Sequence, residues 1–133
     1  MNAAAARRLT RLAVQTAEAW LGLLAFDLAR PLGFARACAW LRRCRPSARV
    51  SGVAAEDIVW SIDEACVWYV KRAACLQRSA VATWLLRRHG IDAQLVIGCR
   101  PLPFESHAWV EVGGRVINDL PRYQRAFIVL NRL

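Results

Sequence analysis

Ser106-His107-Ala108-Trp109-Val110-Glu111-Val112-Gly113-Gly114-Arg115-Val116-Ile117-Asn118-Asp119 alternates polar and apolar residues, turns on two glycines, and runs on into a second short β-branched stretch. Period-two alternation reads as a strand, and a Gly-Gly pair between two such runs reads as a hairpin turn. The alternation puts His107, Trp109 and Glu111 on one face. The pairing sets a test. A two-residue turn pairs Val112 with Arg115, and a regular ladder from there sends His107 and Asp119 to opposite faces. For the two side chains to meet, the reading expects a three-residue loop, Val112-Gly113-Gly114, with a glycine at positive φ, or a one-residue bulge before Asp119.

Upstream lies a helix from Cys75 to about His89. Leu76, Ala80, Thr83 and Leu86 recur three or four apart, Arg87, Arg88 and His89 fill the last turn, and Gly90 supplies the stop. Unpaired N–H groups and the positive dipole end in the first turn favour a thiolate at Cys75. Cys75, His107 and Asp119 are thus a candidate nucleophile, an imidazole base and the carboxylate that orients it. The backbone N–H of Cys75 is a candidate oxyanion donor. Gln77, on the same helix, and Trp109 and Glu111, beside His107, are candidate substrate contacts, against the plainer readings of a solvent-facing helix residue and core packing. Between helix and hairpin, residues 93–99 read as a buried strand and residues 100–105 as a loop.

The N-terminal part is helical. A helix over about 3–29 is stopped by Pro31, a second covers about 32–44, residues 45–53 form a linker, and a third helix spans about 54–70. The expected fold class is α+β: residues 1–50 form a helical segment packing on or extending the core, and residues 51–133 form the domain that holds the three candidate side chains. Of the +9 net charge, most sits in residues 1–50, which carry nine arginines against Glu18 and Asp27. Such a face suits an acidic peptide, a partner protein, an anionic membrane surface or solvent. Nucleic acid ranks below these because no binding motif or aromatic platform accompanies the arginines. Five cysteines, an odd number, show no CxxC pair and no histidine-rich spacing, so neither a disulfide framework nor a metal is expected. Charged residues interrupt the apolar runs between Leu9 and Leu41, which argues for packed amphipathic helices over a membrane span. With no convincing signal peptide, the expected location is the cytoplasm.

The block Cys75-Leu76-Gln77-Arg78-Ser79, then Leu85-Leu86-Arg87-Arg88-His89-Gly90-Ile91, Leu95-Val96-Ile97-Gly98, Pro103-Phe104-Glu105-Ser106-His107-Ala108-Trp109-Val110-Glu111-Val112, Asn118-Asp119 and Phe127-Ile128-Val129-Leu130 resembles the leader peptidases of lasso-peptide biosynthesis. These are transglutaminase-like, papain-like cysteine proteases. The resemblance implies a Cys-bearing helix packed on a small antiparallel sheet carrying His and Asp. It also implies Cys75 as nucleophile, His107 as base and acid and Asp119 as orienter, with no cofactor. The implied substrate is a ribosomally made precursor whose leader is removed. The implied partners are a separate leader-recognition protein, since the N-terminal segment is too short to include one, and an ATP-dependent lasso cyclase. The same triad would also serve acyl transfer, as in transglutaminases and arylamine acetyltransferases. The non-enzymatic alternative is a basic scaffold with an idle triad.

Overall fold

The computed structural model describes residues 2–133. Helix α1, Ala3–Ala29, starts under an Asn2 cap whose side chain accepts from the Ala5 N–H at 2.8 Å. Pro31 falls in a single 3-10 turn, Arg30–Leu32, and Gly33, at a φ of 93°, starts α2, Phe34–Arg43. Helix α3, Ala55–Trp68, carries Glu56 and Asp57 in its first turn, and α4 runs Cys75–Arg88. Strands β1, Ala93–Pro101, β2, Phe104–Val112, and β3, Arg115–Val116, are followed by a short α5, Tyr123–Ala126, and β4, Ile128–Arg132. The sheet order is β3-β2-β1-β4, with every pair antiparallel. The segment expected as a loop at 100–105 is instead the tip of the β1–β2 hairpin, whose pairing continues to Pro101↔Phe104.

Helix α4 is the centre of the molecule. On one side α1 and α3 pack against it through Ala19, Leu23, Ile58, Ile62 and Ala65, and on the other β1 and β2 present Leu95, Ala108 and Val110. Burial therefore extends around most of its circumference and takes in Gln77, Ser79, Thr83 and Arg87. A single apolar stripe cannot report this, because polar residues with internal partners are buried too. Residues 45–53 have no regular structure but are pinned to the end of α4: Ser47 N–H donates to the Arg87 carbonyl at 2.8 Å, and Gly90 lies so close to Arg49 that an added Cβ would sit 2.8 Å from its carbonyl oxygen.

Helix α1 buries only one side. Gln15, Ala19 and Leu23 face α3 and α4, whereas Leu9, Val14, Leu21 and Leu28 are exposed. By length and composition, Ala3–Leu32 is apolar enough to cross a membrane. This modifies the sequence expectation: the charged interruptions fall mainly toward the ends of the helix, leaving Glu18 as the one charge between Arg11 and Asp27.

A polar joint ties α1 to the end of α3. Tyr69 donates to Asp27, which also pairs with Lys71 at 2.7 Å. Burial and the adjacent carboxylate push the Tyr69 hydroxyl up to about 12. A group that holds its proton more tightly when folded stabilises fully below its unfolded value, about 10, and loses that contribution as pH rises toward the folded value. Stability is expected to fall by on the order of 1–2 kcal/mol between about pH 10 and 12. Urea titrations of Tyr69→Phe should lack that part of the alkaline loss.

Candidate active site

His107 Nε2 lies 2.7 Å from Asp119 Oδ2. This contact forms across a regular two-residue turn: Val112 pairs with Arg115 and Glu111 with Val116, with both Gly113 and Gly114 at positive φ, 57° and 76°. Neither the three-residue loop nor the bulge is present. The expectation failed because it extended the ladder to Asp119, whereas the paired strand ends at Val116, with one further bond from the Ile117 N–H to the Val110 carbonyl at 3.0 Å. Beyond it, the Asn118 side chain takes over as the acceptor for the Val110 N–H at 2.7 Å. Asp119 thus lies past the sheet, not on it, and strand alternation no longer dictates its direction.

The carboxylate is held from several sides. Oδ1 accepts from the Leu120 N–H at 2.9 Å, and Oδ2 also lies 3.4 Å from Arg78 Nη2. Arg78, three residues after Cys75 on α4, donates to the Asn118 carbonyl at 2.8 Å and pairs with Asp63 at 3.4 Å. Burial pushes the Asp63 carboxyl up, and Arg78 opposes this. One residue on, Ser79 donates to the Ala108 carbonyl at 3.0 Å and accepts from Asn118 Nδ2 at 3.0 Å. The first turns of α4 are thereby fastened to both residues flanking the His107–Asp119 pair, Ala108 and Asn118.

Cys75 is the first residue of α4 and is partly buried, packed against the cluster of Cys38, Leu41, Ala80, Leu95, Ala108 and Leu133. No hydrogen bond joins its thiol to His107 among the described residues. The structure joins two of the three candidate residues directly, and Arg78 and Ser79 fasten to them the helix that begins at the third. Burial pushes the Cys38, Cys44 and Cys66 thiols up. Among the described residues, no group of three or more His, Cys, Asp and Glu side chains is placed to hold a metal.

The three candidate substrate contacts are corrected. Gln77 is 3% exposed and donates to the Leu23 carbonyl at 2.8 Å, locking α4 to α1, so it faces neither substrate nor solvent. Trp109 is fully buried, and its indole N–H donates to Glu111 at 2.9 Å. Glu111 pairs with Arg132 at 2.7 Å, and although burial raises its carboxyl, the bonds from Arg132 and Trp109 hold it below the usual range. All three sit where packing and internal hydrogen bonds use up their surfaces.

Three aromatic rings surround the imidazole, and two of them, Tyr123 and Phe127, lie outside that reading. The His107 ring lies 4.4 Å from the Tyr123 ring, 5.8 Å from Phe127 and 6.2 Å from Trp109, centroid to centroid. Gly98, paired with His107 across β1 and β2, makes room for them: a Cβ there would sit 2.9 Å from the Trp109 ring and 3.0 Å from Phe127 Cβ. Gly98 in the middle of a strand was the available signal for this close approach.

A helix beginning at a cysteine, packed on an antiparallel hairpin whose histidine meets an aspartate, is matched by the family model for the transglutaminase-like superfamily over residues 20–132. The chain belongs to the transglutaminase-like superfamily. The α+β fold class, with helices preceding a small antiparallel sheet, stands as read from the sequence. Among curated relatives, the transglutaminase-like chain is similar to the Microcin J25-processing protein McjB of Escherichia coli, with 48% identity over 59 residues. That stretch is 44% of this chain and 28% of the relative's length. No solved structure matches the chain.

Proposed function

We propose that this protein is a cysteine peptidase that removes the leader from a lasso-peptide precursor, with Cys75 as nucleophile, His107 as base and acid, and Asp119 as orienter. The observation that carries the reading is the His107 Nε2–Asp119 Oδ2 bond at 2.7 Å, with Arg78, from the first turn of the Cys75 helix, at the same oxygen. Similarity to a microcin-processing protein supports the substrate class.

The chemistry follows from that bond. With Nε2–H donating to Asp119, the neutral imidazole carries its lone pair on Nδ1, which takes the Cys75 proton. The sulfur attacks the carbonyl carbon before the scissile bond, and Nδ1–H returns the proton to the departing amine as that C–N bond breaks. Water, deprotonated by His107, then hydrolyses the thioester and releases the leader carboxylate. Asp119 stays ionised throughout and stabilises the imidazolium. The backbone N–H of Cys75 serves as one oxyanion donor. A separate leader-recognition protein supplies the precursor at an effective concentration up to about the millimolar range, and an ATP-dependent cyclase uses the freed amino group.

The test is to incubate the protein with the precursor peptide and leader-binding protein encoded near it and to read the products by mass spectrometry. One cut at the leader–core junction is expected. An uncut precursor in the presence of its bound partner sinks the reading. Independently, iodoacetamide at about pH 7 should alkylate Cys75 before Cys38, Cys44 and Cys66, the thiols that burial holds protonated. Equal labelling would favour the idle scaffold.

A further inference from the structure

A groove of about 820 Å³ runs between α1, α2 and α4. That is the size of a ligand pocket, not of a packing defect. Its walls are apolar: Leu21, Phe34, Ala37 and Trp40 from α1 and α2, with Leu76 and Trp84 from α4. Leu21, Phe34 and Trp40 are 59%, 54% and 54% exposed, an unusual clustering of large apolar side chains at one recess. Arg36 and Arg43 stand at the rim, and among the described residues neither is paired with a carboxylate.

Two observations indicate what fills it. The groove adjoins the start of the helix that carries the candidate nucleophile: Leu76, which follows Cys75 in the chain, lines it, and Cys75 packs on the buried cluster of Cys38, Leu41, Ala80, Leu95 and Leu133, whose members also line it. The occupant must also complement apolar walls with a cationic rim. A second copy of the chain does not, because the net charge is +9 and the partner would bring the same arginines.

We propose that the groove binds the substrate peptide beside the scissile bond and selects a segment with two or more large apolar side chains flanked by Asp or Glu. This rests on the peptidase reading and adds the specificity of the site. The apolar side chains displace water from Leu21, Phe34, Trp40 and Trp84, and the acidic flanks meet Arg36 and Arg43.

Two chloromethyl ketones of equal length test it, Glu-Leu-Leu-Asp-Ala-Gly and Lys-Ser-Ser-Lys-Ala-Gly. In each, the Cys75 sulfur displaces chloride and forms a thioether, and each rate is divided by that of iodoacetamide on the same protein. The acidic-apolar probe should react at least about tenfold faster, as expected from burying two leucine side chains. Ala37→Trp, which fills the groove, should bring the two probes to within about twofold. Because that variant adds bulk beside α1, the double variant Arg36→Glu/Arg43→Glu, confined to exposed side chains, is the second arm. It should lose the acidic part of the preference, and added salt should weaken that part in the parent protein. Equal rates for the two probes on the parent protein, or a preference unchanged in both variants, overturn the groove and leave the peptidase reading standing. A Cys75 inert to both probes and to iodoacetamide removes that reading and the groove with it. Loss of binding to phosphatidylglycerol vesicles in these variants, with the probe ratio unmoved, assigns the groove to a membrane and overturns the proposal.

Discussion

Cys75→Ala is expected to abolish leader removal while leaving the fold and the capture of precursor and partner intact. Without the sulfur no thioester forms, and His107 and Asp119 are left with no nucleophile to activate. Members of such a unit fail together, and removal of the nucleophile in a comparable hydrolase costs roughly six orders of magnitude in kcat. Cleavage by the variant should therefore fall at least about 10⁴-fold in single-turnover mass spectrometry. The structural cost should be small, because Cys75 is only partly buried and forms no disulfide. A parallel thermal melt separates the cases: lost cleavage with an unshifted melt supports the assignment, and retained cleavage ends it.

The largest effect on stability is expected at Arg87. The residue is 8% exposed, and its guanidinium donates to four carbonyls: Ala93 at 2.9 Å, Leu41 at 2.8 Å, Cys44 at 3.1 Å and Leu133 at 2.9 Å. These belong to the end of α2, the start of β1 and the residue after β4, so one side chain joins three elements to α4. Burial lowers its proton affinity from the usual arginine value, an effect that nearby Asp92 opposes. Arg87→Leu keeps the apolar stem but strands several acceptors inside the protein, each of which costs about 1–3 kcal/mol. The total should approach roughly 3–5 kcal/mol, a large part of the ~5–15 kcal/mol available to an ordinary domain. Urea denaturation should show a midpoint shifted strongly downward, and a shift below about 1 kcal/mol would mean that water replaces these bonds.

Elements with a strong period or a stop residue were legible in the sequence. The helix ends at Pro31 and Gly90, the start of α4 at Cys75 and the β2 alternation all correspond to local rules that the fold obeys. What long-range packing decides was not legible. Gln77 and Arg87 read as a surface residue and a helix-end charge because nothing nearby in sequence announces the Leu23, Leu41 and Leu133 carbonyls that receive them. Asp119 was located by type and order, yet its route to His107 was misjudged, since the ladder stops early and Asn118 ends it with a side chain. Tyr123 escaped notice because α5 is too short to show a period, and Phe127, read only as part of the family-like block, was given no place beside His107. The three sequence-chosen substrate contacts share one error, in which nearness to the site along the chain stood in for exposure.

Helix α4 combines two duties in fourteen residues, with the candidate nucleophile at its first position and the central packing layer along the rest. Few helices in a small domain are so enclosed, and such segments exchange their amide hydrogens only when the whole molecule opens. The mid-helix amides, from Ala80 to Leu86, should therefore set the slowest exchange rate in the protein. Local breathing cannot then disarm the reactive end while the remainder stays native, and thermal inactivation and global unfolding should coincide as one cooperative event.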